Sequence, residues 1–391
     1  EEVAAYSALT GLGELLKTGC TTCFDHHYVF PAGCGDLIGA QFAAAEELGM
    51  RMFASRGSMD LSRKDGGLPP DSVVQTVDAI MKDSARVIEA YHDPSFGSMR
   101  QVALAPCSPF SVSRELLLQS AKLARQYHVR LHTHLAETKD EERYTLDRYG
   151  LRPLAYLESL GWVGPDVWFA HGIHFTDAEL DLLAETGTGV AHCPVSNMKL
   201  SSGVCRVPEM LELGVPVGLA VDGAASNDGS DLLEELRVCY LLHRLTSSEK
   251  APSGYQVLKM ATRGSARLLG RGHRAAGRGQ VRGLLPGGFP PAGAGGRRVQ
   301  SRRRAGHGGP PRPGGLHGGE RPGRGEGGAS RHHRRGKNRR RRPEGLRGVS
   351  GKGVKRAAAS VDAAAFALYY QFREPGLCSR QPNTQPQRSV V

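Results

Sequence analysis

The sequence predicts an α/β fold, an incomplete (β/α)8 barrel in which seven of the eight strands can be read. Short β-type runs alternate with helix-period segments from Ala5 to about Arg267, which is typical of βα units on a parallel sheet. Seven such runs occur, and seven fit a closed barrel better than an open sheet. The last four of them each end in an ionisable side chain, as barrel strands that carry catalytic groups do.

The β-type runs are separated by helical segments. In chain order, the runs cover residues 20–25, 51–55, 102–106, 129–134, 167–171, 189–192 and 217–222. Apolar residues recur at helical spacing between them, as in Leu9, Leu12, Leu15 and Leu16 and again in Leu116, Leu117, Ala121 and Ala124. Thr176 followed by Glu179 forms a capping box that predicts a further helix.

The ionisable strand ends are His134, His171, His192 and Asp222. The carboxyl ends of barrel strands meet at one mouth, so these side chains are expected to lie together. Imidazole and carboxylate ligands suit zinc or iron. One such histidine alone would more often be a hydrogen-bonded structural residue, but four coincidences at the same relative position indicate a metal site.

The composition divides the chain near Arg271. Residues 272–391 carry 26 Lys and Arg against 5 Asp and Glu, whereas residues 1–271 carry 25 against 34. We therefore expect an acidic barrel domain over residues 1–270 and an Arg/Gly/Pro-rich tail over residues 271–391. The tail has two interpretations: a disordered basic arm that binds nucleic acid through its charge, or an out-of-frame translation of a GC-rich gene, which we favour.

Two classes of protein are excluded or disfavoured. No run of about 18 apolar residues exists, so no membrane span is predicted. The eight cysteines are scattered along the chain and do not suggest a disulfide framework, which favours the cytoplasm. We expect a small-molecule substrate and no nucleic-acid partner, and leave a homo-oligomer open.

Four strings carry a resemblance to a known family: His134-Leu135-Ala136-Glu137, Ala170-His171-Gly172-Ile173-His174, His192-Cys193-Pro194-Val195-Ser196-Asn197 and Val221-Asp222-Gly223-Ala224-Ala225-Ser226-Asn227. In order and spacing, they resemble the amidohydrolase superfamily, in particular its cytosine/guanine deaminase and triazine hydrolase branch. Residues 25–28 and 56–59 look most like the group of 8-oxoguanine deaminases and hydroxydechloroatrazine ethylaminohydrolases. The resemblance covers about residues 1–270.

The resemblance implies hydrolytic deamination of an amino-substituted N-heterocycle, with 8-oxoguanine or a related base as substrate and one divalent metal ion, zinc or iron, as cofactor. It implies that His134 and Asp222 bind the metal, whose bound water becomes hydroxide near neutral pH and attacks the ring carbon. Asp222 would also accept the proton of that water. Glu137 would move protons to the ring and to the leaving ammonia. His171 would polarise the substrate or orient the water.

Further candidates for substrate binding are His174, His192, His27 and Tyr28. His192 has an alternative interpretation, because its string could mainly fix the following loop. Adjacent His26 and His27 are expected to point to opposite faces of a strand.

The resemblance also implies parts that the printed sequence does not contain. A His-x-His motif on a first strand, upstream of Glu1, would supply two more metal ligands, and His26-His27 is no substitute for it. With two certain ligands where catalytic zinc takes at least three, we expect the chain as printed to be poorly active. A small β-sandwich built from both chain ends should be absent or incomplete.

Two alternatives to the deaminase stay open. An s-triazine amino- or chlorohydrolase shares the chemistry and differs only in pocket shape. An inactive barrel remnant with a nucleic-acid-binding tail would be no enzyme at all.

Overall fold

The computed structural model describes residues 1–271, which form one sheet of seven parallel strands joined by helices. The strands lie in the sheet in the order in which they occur along the chain. This arrangement confirms the predicted α/β fold and its incomplete barrel. The strands are β1 (Thr22–Asp25), β2 (Arg51–Ser58), β3 (Arg100–Pro106), β4 (Arg130–Leu135), β5 (Val167–His171), β6 (Gly189–His192) and β7 (Val217–Leu219).

Seven of the helices within residues 1–271 begin after an Asp, Ser or Thr whose side chain accepts a hydrogen bond from the first turn. Thr176 Oγ1 accepts from Glu179 N, and the Glu179 carboxylate accepts from Thr176 N, so the predicted capping box is confirmed. The helices are α1 (Glu2–Lys17), α2 (Leu37–Leu48), α3 (Val77–Tyr91), α4 (Arg114–Gln126), α5 (Lys139–Tyr149), α6 (Pro153–Ser159), α7 (Asp177–Thr186), α8 (Pro194–Lys199), α9 (Val207–Leu213), α10 (Ala224–Asn227), α11 (Leu232–Ser247), α12 (Gly254–Lys259) and α13 (Ser265–Leu268), with a π turn at Met260–Gly264.

The last strand is shorter than the sequence predicts. We expected a run over residues 217–222, but β7 ends at Leu219. Ala220 N still donates to His192 O, and the backbone then turns away, because Asp222 adopts a left-handed φ of 63°. Asp222 therefore lies on the turn after the strand rather than on the strand itself.

The two faces of the sheet are packed differently. The large hydrophobic core includes the strand residues Leu131, Val167 and Val190 together with helix residues such as Leu116 and Leu180. A small apolar cluster is built from Phe53, Ala103, Trp168, Ala191, Leu268 and Leu269. Its members from α13 fit there because β6 and β7 present glycines: a Cβ on Gly189 would lie 2.2 Å from Leu268 Cδ2.

Within residues 1–271, β1 pairs only with β2 and β7 only with β6. The sheet thus has two edges in the described part of the chain. No helix there is both long enough and apolar enough to cross a membrane. The tail beyond Arg271, with both of its interpretations, lies outside the described residues, and the domain division near residue 270 stays a prediction.

Candidate active site and metal centre

The structure brings the predicted catalytic residues together at the carboxyl ends of the strands. His134 lies near the end of β4, His171 ends β5, and Glu137 and Asp222 follow β4 and β7. The rings of His134 and His171 stack with centroids 5.4 Å apart. His171 Nε2 lies 3.9 Å from Glu137 Oε2 and 4.0 Å from Asp222 Oδ2. Two imidazoles and two carboxylates thus share one small volume.

The backbone at this mouth is strained. Ala136, His171 and Asp222 have φ values of 53°, 71° and 63°, in the left-handed region that residues other than glycine rarely adopt. Each lies at or just after the end of a strand that carries a candidate residue. Strain of this kind persists only where the surrounding structure enforces it, and it concentrates at functional sites.

Hydrogen bonds fix the orientation of both histidines. His134 Nδ1 donates to Cys107 O at 2.6 Å, and His171 Nδ1 donates to Asn197 Oδ1 at 2.9 Å. In a neutral imidazole that donates through Nδ1, the lone pair is on Nε2. Bonds of this type orient metal-binding histidines and increase their basicity.

The two carboxylates are also held in place. Asp222 Oδ2 accepts from Ser196 Oγ at 2.6 Å, and Asp222 Oδ1 accepts from Gly223 N at 2.7 Å. Glu137 Oε1 accepts from Ser202 Oγ at 3.0 Å. The side chains of Asp222 and Glu137 keep 24% and 13% of their surface exposed, against 2% for His171. Both carboxylates can therefore be reached by a small molecule.

Charge pairing outweighs burial in this group. Burial lowers the pKa of His171, but the charges of Glu137 and Asp222 and the bond to Asn197 leave that pKa above its ordinary value. Burial also lowers the pKa of His134, yet neighbouring Cys107 and the charge of Asp222 raise it overall. For Asp222, burial raises the pKa, and the charges of His171 and His134 bring it below its ordinary value.

A carboxylate that the sequence analysis missed supports the turn that carries Glu137. Glu141, on the first turn of α5, accepts from Ala136 N at 2.8 Å and from Glu137 N at 3.3 Å. Burial raises the pKa of Glu141 to about 8. Its position five residues after the strained Ala136 was a readable signal, because a carboxylate there can reach back to the free amides of the turn.

The predicted substrate-binding residues fall in different places. Tyr28 packs near the group, with its ring 6.0 Å from that of His134. His174 donates through Nε2 to Ser202 O and lines a cavity of about 260 Å³ beside Thr138 and Lys139.

The ring contacts of His27 and His192 are made outside that group. The ring of His27 packs edge-on against Phe30, and both His26 and His27 follow the end of β1 at Asp25 rather than lying on the strand as expected. His192 is fully buried, and its ring lies 5.3 Å from that of His243. The substrate-binding role of all four residues stays a prediction.

Two more histidines join the group. The ring of His26 lies 4.7 Å from the rings of both His134 and His132. His26 donates to Ala105 O, and His132 donates to Trp168 O. The sequence held a signal for His132, because it precedes His134 by two residues on β4 and so lies on the same face of the strand, whereas His26 follows the end of β1. Ser202, from a distant loop, gave no local signal.

The donor set fits a divalent transition metal. His134 and His171 present Nε2 atoms, and Asp222 presents carboxylate oxygens, which are ligands that zinc and iron both accept. One ring nitrogen of His171, Cys193 Sγ and one carboxylate oxygen of Asp222 lie within 4.8 Å of one another. The described residues therefore contain a candidate metal site at the predicted place.

The parallel sheet and this polar mouth together define a metal-dependent hydrolase fold of the barrel type. The amidohydrolase family matches residues 1–277, and the chain belongs to that family.

Among known proteins, the chain is similar to the 8-oxoguanine deaminase of Pseudomonas aeruginosa, with 53% identity over 260 residues, 66% of this chain and 58% of that protein. It is also similar to the hydroxydechloroatrazine ethylaminohydrolase of a Pseudomonas species, with 43% identity over 275 residues. That match covers 69% of this chain and 57% of the relative. These matches confirm the predicted branch of the family.

A solved structure agrees with them. The atrazine chlorohydrolase of Arthrobacter aurescens complexed with zinc matches with a TM-score of 0.67 and 36% identity, over 69% of this chain and 60% of that one. The chain thus spans less than two thirds of the length of the relatives that it matches.

Proposed function

We propose that the protein is a metal-dependent hydrolase that removes an amino group from an N-heterocycle and releases ammonia. One observation carries the proposal: His171 Nε2 lies within 4.0 Å of both the Glu137 and the Asp222 carboxylates, beside the stacked ring of His134. Hydrolytic deamination needs a proton acceptor, a proton donor and a polarising group around one ring carbon. This cluster offers all three.

His134 and Asp222 are the proposed metal ligands, with zinc as the preferred ion. When bound, a divalent ion lowers the pKa of a coordinated water and so makes hydroxide available near neutral pH. Asp222 is suited to its place because its neighbours hold its pKa low, so that it stays a carboxylate. His134 is suited because its Nδ1 is already engaged with Cys107 O.

Glu137 is the proposed proton carrier. One of its oxygens is fixed by Ser202, and the other lies 3.9 Å from His171 Nε2. A proton accepted at that second oxygen can be delivered to a ring nitrogen, which makes the adjacent carbon more electrophilic, and later to the departing amine. His171, whose pKa is raised, can donate from Nε2 to a substrate heteroatom.

The first substrate to test is 8-oxoguanine, supported by the 53% identity to the Pseudomonas aeruginosa deaminase. An s-triazine is the second candidate, supported by the ethylaminohydrolase and chlorohydrolase relatives. The seven cysteines in the described residues are free thiols, in keeping with the predicted cytoplasmic location. That location and a homo-oligomeric state stay predictions.

The test is ammonia release. The 391-residue chain is assayed beside a chimaera in which the parts of the Pseudomonas aeruginosa enzyme outside the matched 260 residues complete it. Both are offered 8-oxoguanine, guanine, isocytosine and hydroxyatrazine derivatives in the presence of zinc. Release of ammonia from a purine with little turnover of the triazines supports the proposal. Faster turnover of a triazine than of any purine would instead assign the triazine function.

A matched substitution links the result to the site. Glu137→Gln removes the proton carrier while keeping its size, and we expect turnover to fall by about 10²–10⁴-fold. Glu158→Gln, in α6, is the control and should leave turnover unchanged. A chimaera whose turnover survives Glu137→Gln would contradict the assigned role.

A further inference from the structure

A second cluster of metal-binding side chains lies in the interior, and the proposed reaction assigns no role to its members Cys239 and His243. It is formed by His192 at the end of β6 and by Cys239 and His243 on α11. One ring nitrogen of each histidine and Cys239 Sγ lie within 4.8 Å of one another. All three side chains are fully buried.

The two histidines have no hydrogen-bond partner within residues 1–271. Both ring nitrogens of His192 and both of His243 are buried and unpaired there, although the rings lie 5.3 Å apart. A buried imidazole normally satisfies at least its N–H group, since an unpaired polar group costs free energy. Four unpaired ring nitrogens around one thiol are therefore unusual for a structural core.

Helix α11 places its two ligands by simple periodicity. Cys239 and His243 are four residues apart, so they lie on the same face of the helix, one turn after the other. Glu235 occupies the preceding turn of that face and is also fully buried. The face meets the chain that follows β6, because Glu235 accepts a hydrogen bond from Val195 N.

The charges around the cluster suit a divalent cation. A thiolate from Cys239 and the carboxylate of Glu235 would together offset two positive charges, whereas the histidines bind as neutral ligands. Glu235 lies close enough to Cys239 to act on it electrostatically.

We propose that His192, Cys239 and His243 form a second metal site, specific for a borderline transition-metal ion such as zinc, whose ligands are distinct from those of the candidate active site. The ligand atoms around one zinc ion lie about 3.3–3.6 Å apart, from bond lengths of about 2.0–2.3 Å. The three atoms are within 4.8 Å of one another, so closure by about 1 Å completes the set. The ion would tie α11 to the end of β6, next to the turn that carries Ser196 and Asn197.

The experiment uses cobalt as a spectroscopic substitute for zinc. The full 391-residue chain is stripped with a chelator and titrated with Co²⁺ while the thiolate-to-cobalt charge-transfer absorption is recorded. At saturation we expect an absorption that corresponds to one thiolate-bound cobalt ion per chain, because the proposed active-site ligands, His134 and Asp222, contain no sulfur. Zn²⁺ added afterwards should abolish it.

Matched variants identify the thiol. Cys239→Ser should lose the absorption, and Cys193→Ser, which removes a buried thiol near His171 and Asp222, should keep it. Absorption that survives Cys239→Ser, or that disappears in Cys193→Ser instead, would overturn the proposal. So would a folded wild-type chain that shows no absorption at all.

A second measurement does not depend on whether Cys239→Ser folds. Zinc X-ray absorption on the wild-type chain saturated with zinc should show a sulfur scatterer at about 2.3 Å together with nitrogen and oxygen scatterers. Its persistence in Cys193→Ser would support the site. A shell of nitrogen and oxygen alone would contradict it.

Discussion

Two pairs of histidines lie on β4, β5, β6 and α11, with His134 half-buried and the other three buried, and the pairs differ in what surrounds them. The rings of His134 and His171 lie 5.4 Å apart, and those of His192 and His243 lie 5.3 Å apart. In the first pair each Nδ1 donates to a fixed acceptor, and Asp222 lies beside the rings. The second pair has no hydrogen bond within the described residues.

The neighbouring groups determine whether the histidines of each pair can be protonated near neutral pH. Burial lowers the pKa of all four histidines. In the first pair neighbouring groups, the Asp222 carboxylate among them, reverse that effect. The pKa of His192 is lowered by burial and then by the charges of His243 and His171. That of His243 is lowered by burial, against a weaker opposite effect of Glu209. The neighbouring groups therefore give one pair that is suited to proton transfer and one that stays neutral.

The largest expected effect comes from removing the charge that distinguishes the first pair. Asp222→Asn keeps the shape but loses the carboxylate that is both the proposed ligand and a partner of His171. We expect turnover of the chimaera to fall by about 10³-fold or more, about 4 kcal/mol in activation free energy. Asp228→Asn, at a side chain that is 80% exposed, is the control. Turnover within threefold of wild type in Asp222→Asn would contradict the site.

Asn197→Leu makes the first pair resemble the second, because it removes the acceptor of His171 Nδ1. Loss of such an orienting bond costs about 10–100-fold in metal affinity or activity. We expect kcat to fall by that factor and KM to change little, since Asn197 is fully buried and contacts His171 rather than the solvent. Asn197→Asp retains an acceptor and should recover part of the loss. Equal losses in both variants would indicate a packing defect instead.

The sequence singled out both members of the first pair but only His192 of the second. The β-type runs predicted five of the seven strands within two residues at each end, whereas β2 ends three residues later and β7 three residues earlier than predicted. His134 and His171 were found because each ends an apolar run. His243 lies inside a helix that also contains Leu241, Leu242 and Leu245, and nothing local distinguishes it from a core residue. Only the packing of α11 behind β6 brings it to His192.

Contacts between distant segments explain the other features that the sequence analysis did not predict. Ser202 reaches Glu137 across 65 residues, and Asn197 reaches His171 across 26. No periodicity encodes such pairs, because they depend on how a loop folds over the mouth. The end of β7 was missed for a related reason: the left-handed turn at Asp222 interrupts a run that is apolar in sequence up to Val221.

A stability measurement compares the two pairs directly. His171→Leu leaves the Glu137 and Asp222 carboxylates without their cationic partner. We expect it to cost about 2 kcal/mol, less than a fully buried pair because both carboxylates are partly exposed. His243→Leu replaces a buried imidazole without partners by an apolar side chain of similar volume. In chelator, it should change the free energy of unfolding by less than about 1 kcal/mol in either direction.

Urea unfolding at pH 7 in the presence of chelator measures both values. Added zinc should stabilise the wild-type chain more than it stabilises His243→Leu, because both chains keep the proposed active-site ligands but only the wild type keeps all three ligands of the second site. Equal costs for the two substitutions would show that the carboxylates near His171 do not pair with it. A large cost for His243→Leu in chelator would mean that its ring nitrogens have partners after all.

The smallest expected effect is the pH dependence of those two costs, which should have opposite signs. The folded-state pKa of His171 lies above its ordinary value, so the folded state binds the proton more tightly than the unfolded chain. The stability from His171 is therefore fully present below pH 6.5, the unfolded value, and is lost as the pH rises through the folded pKa. The cost of His171→Leu should grow as the pH falls.

His243 should behave in the opposite way, because its folded-state pKa lies below its ordinary value. Below pH 6.5 His243 is protonated in the unfolded chain but stays neutral in the folded chain. The free energy of unfolding of the wild type therefore decreases as the pH is lowered from 6.5 to the folded-state pKa. His243→Leu should thus gain stability relative to wild type on going from pH 7.5 to 5.5. Each unit of pKa difference is worth about 1.4 kcal/mol, so repeated urea titrations in chelator resolve the effect. Parallel curves for the two variants would contradict the assigned difference, because the two histidine pairs would then hold their protons alike.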